Sequence, residues 1–315
     1  MDTNQRLDAL VAPLRADVVS GASVIGKMAA EVLHLAAQDA RAVSLEEFRS
    51  ELGEVCGKVL DAQPAMATLV TLVRDVLTSV EACEDLETGR LAAVRSAEAF
   101  GSGFESRAES VATRASALIP SGATVATISY SSTVLATLTH EGTRAVGQVI
   151  CFESRPMREG KTLATALAEV GVTVTFAVDA AASTLIGECD IVLLGADSIG
   201  DLGVVNKIGS AGLVDAAIRR GVPVMVVSDE TKILPIGFPQ HLTDDRPPEE
   251  VWRAPAGVRV WNQYFESFEL ERVTMVVTES DALTAPEVEK LRKDIVLPTG
   301  LLAWADARAP GPPEV

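Results

Sequence analysis

The chain has 315 residues, 48% of them apolar, and a formal net charge of −17 at neutral pH. That length suffices for one large or two ordinary domains with a core that needs no disulfide or metal staples, and the apolar fraction excludes wholesale disorder. The negative field repels phosphodiester backbones and anionic lipid, so no nucleic-acid or membrane partner is expected, although one small anion in a local basic pocket is compatible with it.

No run reaches the roughly 18 continuous apolar residues of a membrane-spanning helix. The opening MDTNQRLDAL has acid and amide where a signal peptide has a basic start and an apolar run, so a cytoplasmic location is expected. Cys56, Cys83, Cys151 and Cys189 form no CxxC pair, and His34, His140 and His241 lie far apart. A disulfide framework, a metal site or another bound cofactor is therefore not expected.

Residues 1–118 read as a helical domain and 119–315 as a second domain of alternating strands and helices. In SGASVIGKMAAEVLHLAAQDA, apolar residues from Val24 to Leu33 recur at three- and four-residue steps. Ser44 and Glu47 have capping-box spacing, Pro64 suits the first turn of a further helix, and 86–118 reads as one long Ala- and Glu-rich helical pattern. From residue 121 short β-branched runs take over, at 123–129, 147–154, 172–179, 190–197, 222–229 and 272–279. Helical stretches separate them, and several strands are continuous apolar runs ending in polar residues, as in a parallel sheet covered on both faces. The expected fold class is α/β: an N-terminal helical domain followed by a Rossmann-like, doubly wound, mostly parallel sheet, with ligand chemistry beyond the carboxyl ends of its strands. The proline-rich segment 236–262 reads as an excursion over the surface or into a subunit contact, and the final ARAPGPPEV as a mobile tail. In 258–268, four aromatic residues fall close together, which suits either core packing or a dimer contact.

The strand-end rule singles out Ser129 to Thr133, Glu153 to Gly160, Asp179, Gly195-Ala196-Asp197, Ser228-Asp229, and Gly203 to Ser210 leading into a helix. Each has a plain structural reading. Asp179 suits a cap or turn, the hydroxyl run a polar turn, Arg155 a surface ion pair, and Asn206 to Ser210 a turn with a cap. If the sheet brings these segments to one edge, Arg155, Lys207, the hydroxyls of 131–133 and a helix N-terminus near Ser210 suit a phosphate monoester. Asp197 would share that site with the anion, and burial beside negative charge would raise its pKa toward the range of a general acid or base.

TISYSSTVLATL, ESRPMREGKTLATALAEVGVTVTFAVDAA, CDIVLLGADSIGDLGVVNKIGSAGLVDAAIRRGVPVMVVSDETKIL and NQYFESFELERVTMVVTE, in that order, resemble one superfamily over almost the whole chain. It contains the alpha, beta and delta regulatory subunits of translation initiation factor 2B, ribose-1,5-bisphosphate isomerase and methylthioribose-1-phosphate isomerase. The resemblance implies a helical domain before a Rossmann-like domain, a homodimer or homohexamer, and a phosphorylated sugar or nucleotide as partner. It carries the isomerases' catalytic Asp onto Asp197, sugar- and phosphate-binding residues onto Asn206 and Lys207, a phosphate-binding Arg onto Arg155, and the hydroxyl-rich loop onto Ser131 and Ser132. Two positions depart. The catalytic Cys falls on Ser129, whose isolated hydroxyl is a far weaker acid than a thiol. The N-terminal Arg-Gly-Ala falls on Ser20-Gly21-Ala22, which keeps Gly21 and Ala22 as candidate substrate contacts but lacks one phosphate cation. Both departures point toward the regulatory subunits. Retention of Asp197 points toward chemistry, because a carboxylate in an anion pocket costs binding energy.

Overall fold

The computed structural model describes residues 3–17, 21–141, 146–240, 242 and 246–308. Ser20, His241 and the last seven residues of the tail lie outside them. Among the described residues no helix is long and apolar enough to cross a membrane.

The chain forms two compact units. The helical unit comprises residues 1–105, 231–241 and 292–315, with α1 (Thr3–Ala16), α2 (Ala22–Gln38), α3 (Leu45–Ala62), α4 (Ala67–Glu81), α5 (Leu86–Ser102) and a C-terminal helix Thr299–Asp306. A single cut between 118 and 119 does not describe this division. Leu234, Phe238, Leu301 and Ala305, all late in sequence, are buried in the same apolar cluster as Leu33, Phe48, Leu52 and Leu72. With few aromatics available, small residues let helices approach closely: Ala29 and Ala30 on α2 and Ala93 and Ala97 on α5 are buried in that cluster, and a Cβ at Gly101 would lie 3.3 Å from the Ala30 Cβ.

Local signals explain the helix limits. Ser44 Oγ accepts from the Glu47 N–H at 3.2 Å, while the Glu47 carboxylate accepts from the N–H of Val43, one residue before the cap. Asp85 caps α5 through the Thr88 N–H at 2.9 Å. Pro64 lies in a turn rather than a first helical turn, since α4 begins at Ala67. The long pattern over 86–118 breaks at Gly103, which ends α5 before α6 (Phe104–Leu118) begins.

The second unit comprises residues 106–230 and 242–291. Its strands are β1 (Thr124–Ile128), β2 (Gln148–Phe152), β3 (Val174–Ala177), β4 (Ile191–Leu194), β5 (Ser198–Gly200), β6 (Gly203–Lys207), β7 (Val224–Val227), β8 (Phe265–Phe268), β9 (Met275–Val277) and β10 (Ala282–Leu283). Seven form one sheet in the order β10-β9-β7-β4-β1-β2-β3, parallel except for β10. The helices α7 (Ser132–Thr139), α8 (Gly160–Glu169), α9 (Ala182–Leu185), α10 (Ser210–Arg220) and α11 (Ala285–Asp294) complete the helix set of the parallel-sheet half. Val111, Ala115, Val125, Val149, Cys151, Leu163, Leu193 and Met225 form one buried cluster on the sheet. The continuous apolar runs of β4 and β7 are buried at every residue, as expected for strands covered on both faces.

Four elements, α7, β5, β6 and β8, were not visible in the sequence pattern. The hydroxyl-rich loop after β1 continues directly into α7. Gly203 to Lys207, of which Asn206 and Lys207 read as the start of a turn, is strand β6. It joins β5 and the aromatic segment's β8 in a separate antiparallel sheet ordered β5-β6-β8.

Candidate active site at the carboxyl ends of the strands

From β1 the chain steps outward to β2 and β3, then returns to β4 on the other side of β1. The carboxyl ends of β1 and β4 therefore flank a topological switch point, where open parallel sheets bind ligands. Ser129 follows β1, and Gly195-Ala196-Asp197 follows β4. Two glycines allow the loops to close here. A Cβ at Gly195 would lie 2.7 Å from Ser131 Oγ, and one at Gly209, whose φ is +99°, would lie 2.7 Å from Ile128 Cδ1. The ends of β1 and β4 and the turn entering α10 thus meet. Asp197 is half-buried and its N–H donates to the Val205 carbonyl at 2.9 Å, which ties the end of β4 to β6.

Backbone strain concentrates at the ends of β1 and β2. Ser129 (φ 69°) and Ser154 (φ 63°) are left-handed without being glycine, a conformation that costs on the order of 1–3 kcal/mol and gathers at functional sites. Both are buried, and Ser154 Oγ has no hydrogen-bond partner. The loop carrying Ser154 and Arg155 is held by Asp179, whose carboxylate accepts from their N–H groups at 2.7 and 2.8 Å. Asp179 begins a 3-10 turn after β3 but does not cap it. Its side chain spans to the neighbouring strand's loop, a role that the cap-or-turn reading did not include. The Arg155 guanidinium donates to the Val251 carbonyl at 3.1 Å, rather than to a surface acid. The proline-rich excursion is thereby attached to this edge, and Asn262 binds the Pro247 carbonyl and Glu250 within it.

Asn206 and Lys207 are consecutive on β6, so their side chains leave opposite faces of the strand. Asn206 is buried and donates to Ser210 Oγ at 3.0 Å, and Ser210 Oγ donates in turn to the Lys207 carbonyl at 2.6 Å. Lys207 is also buried. Its ammonium lies 2.6 Å from a Glu159 carboxylate oxygen at the start of α8, and 4.8 and 4.9 Å from the ring centres of Tyr264 and Phe265. The β6 lysine is thus brought to the β2–α8 loop, as a phosphate site there would need, but already in an ion pair. Burial, reinforced by a bond to Glu250, pushes the Tyr264 hydroxyl up to about 12.

The donors expected at the start of α10 are also engaged. Glu266 accepts from the Gly209 and Ala211 N–H groups at 2.7 and 2.8 Å, so a carboxylate of the chain itself fills this helix terminus. Burial raises the Glu266 pKa despite the two bonds. Sequence periodicity offered no sign of this arrangement, because β8 brings Glu266 beside Asn206 from 60 residues away.

Ser131 is the N-cap of α7, its Oγ accepting from the Val134 N–H at 3.3 Å, and Ser132 is the exposed first residue of that helix. Gly21 and Ala22 lie in the helical unit, as the N-cap and buried first residue of α2. No thiol stands in for Ser129. Cys151 is fully buried, donates to the Gly160 carbonyl, and is pushed up to about 12 by burial; Cys56 rises to about 12 and Cys189 to about 11 for the same reason. Among the described residues no three His, Cys, Asp or Glu side chains gather as a metal-ligand set.

The model of the initiation factor 2 subunit family matches residues 18–285. The chain is 30% identical over 280 residues to ribose 1,5-bisphosphate isomerase of Archaeoglobus fulgidus, covering 86% of this chain and 87% of that one. It is also 30% identical over 301 residues to methylthioribose-1-phosphate isomerase of Pelotomaculum thermopropionicum, covering 88% and 82%. Among solved structures, the Pyrococcus horikoshii translation initiation factor eIF-2B superposes with a TM-score of 0.75 at 25% identity, covering 90% of this chain and 98% of that one. With this match along most of its length, and the helical region and mostly parallel sheet that go with it, the chain belongs to the initiation factor 2 subunit family.

Proposed function

We propose that the protein is an aldose–ketose isomerase acting on a sugar 1-phosphate, of the ribose-1,5-bisphosphate and methylthioribose-1-phosphate isomerase type. The observation that carries this reading is Asp197, a carboxylate just past the end of β4, the strand that pairs with β1, whose end carries strained Ser129. The names of the matched relatives support the reaction class. In this reading Arg155, held by Asp179, binds the phosphate. Ser129 and Asn206 orient hydroxyls, and Ser131 and Ser132 shape the loop at the end of β1. Ring opening breaks the bond between C1 and the ring oxygen, which takes a proton from Asp197. The ketose forms as one hydrogen moves from C2 to C1 with its electron pair and the C2 hydroxyl returns a proton to Asp197, so electrons and protons balance within the sugar. A half-buried carboxyl suits that exchange, because transfer by a positioned acid contributes about 10²–10⁴-fold.

A second reading, a non-catalytic binder of sugar phosphate or nucleotide, is favoured by Ser129 itself: no thiol occupies the position, and buried Cys151 cannot supply one. In either reading a homodimer or homohexamer in the cytoplasm is the working assembly, which light scattering tests. Incubation with ribose 1,5-bisphosphate, methylthioribose 1-phosphate and 5-deoxyribose 1-phosphate, followed by NMR, separates the two. The isomerase reading expects ketose from at least one, with a loss of 10²-fold or more in Asp197→Asn. Thermal stabilisation by these ligands without any ketose would establish the binding protein instead.

A further inference from the structure

The ion pair at Lys207 bears on which sugar phosphate the site accepts. Lys207 Nζ is 2.6 Å from Glu159 Oε1, its side chain is only 11% exposed, and the rings of Tyr264 and Phe265 lie within 5 Å of it. The other Glu159 oxygen, Oε2, is buried and has no hydrogen-bond partner. A buried carboxylate oxygen in that state is an acceptor lacking its donor. The remaining charges around Tyr264 are also of both signs: Arg246 lies 4.7 Å from the ring centre and Glu250 bonds the hydroxyl.

Arg155 differs in this respect. Its guanidinium donates to a neutral carbonyl, and no ion pair among the described residues engages it. Of the two cations that the sequence offers to a phosphate, one therefore carries a free charge and the other is balanced by a carboxylate that would repel a second dianion.

Resting on the reading of this site as a sugar-phosphate site, we infer that Glu159 is a specificity-determining residue: it holds Lys207 as a neutral pair and offers Oε2 to a ligand hydroxyl, so that the group reaching Lys207 is an uncharged hydroxylated end of the sugar and not a second phosphate. The substrate class is then a sugar monophosphate whose single phosphate lies at Arg155.

Titration calorimetry with ribose 1-phosphate and ribose 1,5-bisphosphate tests this on the full chain. The wild-type protein should bind the monophosphate at least about tenfold more tightly, which equals ~1.4 kcal/mol. Glu159→Gln, which removes the charge but keeps the shape, should weaken the monophosphate and cut that preference about tenfold. Tighter binding of the bisphosphate by the wild-type protein overturns the inference without any variant, as does an unchanged preference in Glu159→Gln. Binding with the expected preference but no ketose would remove the isomerase reading and leave this inference standing. Ketose formation without the preference does the reverse, and no binding of either ligand removes both.

Discussion

The two units are held together by different means. In the helical unit, large side chains such as Phe48, Leu33 and Leu52 are fully or nearly fully buried in one continuous apolar cluster. In the sheet unit the strand cores are equally apolar, but the carboxyl edge buries Ser129, Ser154, Asn206, Lys207, Ser210 and Asp229. Among the described residues, all three non-glycine residues of positive φ, Ser129, Ser154 and Arg158, lie there as well. The helical unit buries polar groups too, Thr68, Thr71, Thr231, Lys232 and Arg292, but among the described residues the strained non-glycine backbone lies only at the carboxyl edge, and packing alone gives no reason to keep it there. That contrast marks the carboxyl edge as the candidate site without reference to any relative.

Substitutions should separate the two. Phe48→Ala removes a fully buried ring in the helical cluster and should cost about 3–5 kcal/mol of stability, read by urea denaturation. Ligand affinity per folded molecule should stay unchanged, and a matching loss of affinity would break the comparison. Asp179→Ala removes the acceptor of the Ser154 and Arg155 N–H groups. It should cost about 1.5–3 kcal/mol and weaken phosphate-ligand binding about tenfold, with Asp179→Asn intermediate. A stability loss with unaltered affinity would show that the loop needs no tether to present Arg155.

The smallest effect is on pH dependence. Burial raises the pKa of both Glu266 and Glu279 in the sheet unit, so the folded state holds their protons more tightly than the unfolded chain. Their contribution to stability is fully present below the ordinary carboxylate range and is lost as pH rises through the raised values. Exposed Asp85 and Glu287, held low by the N–H groups of Thr88 and Thr284, act in the opposite sense and only at lower pH. Urea midpoints measured from the ordinary carboxylate range up to neutrality should therefore fall less steeply in Glu266→Gln/Glu279→Gln than in the wild-type chain. Equal slopes would refute this assignment.

Much of the architecture was legible because it rests on short-range rules. Period and capping marked the helices, and the apolar runs marked six parallel strands to within a residue or two at most ends. The strand-end rule then picked Ser129, Arg155, Asp197, Asn206 and Lys207 as candidates. What was not legible required contacts between distant segments. β6 and β8 are short strands in a three-stranded sheet, and neither carries enough alternation to stand out from a turn or an aromatic cluster. The extent of the helical unit depended on Leu234, Phe238 and Leu301, whose apolar character does not disclose which core they join.

The chain's own residues determined the α/β class, the helical first third, and the types of group available at the strand ends, since propensity, periodicity and turn chemistry act over a few residues. Only the tertiary structure decided which of those groups already have partners. Glu159 beside Lys207, Glu266 in the mouth of α10 and Asp179 beneath Arg155 each come from another part of the chain. Electrostatic and hydrogen-bond pairing depends on distance in space, which spacing along the chain does not encode.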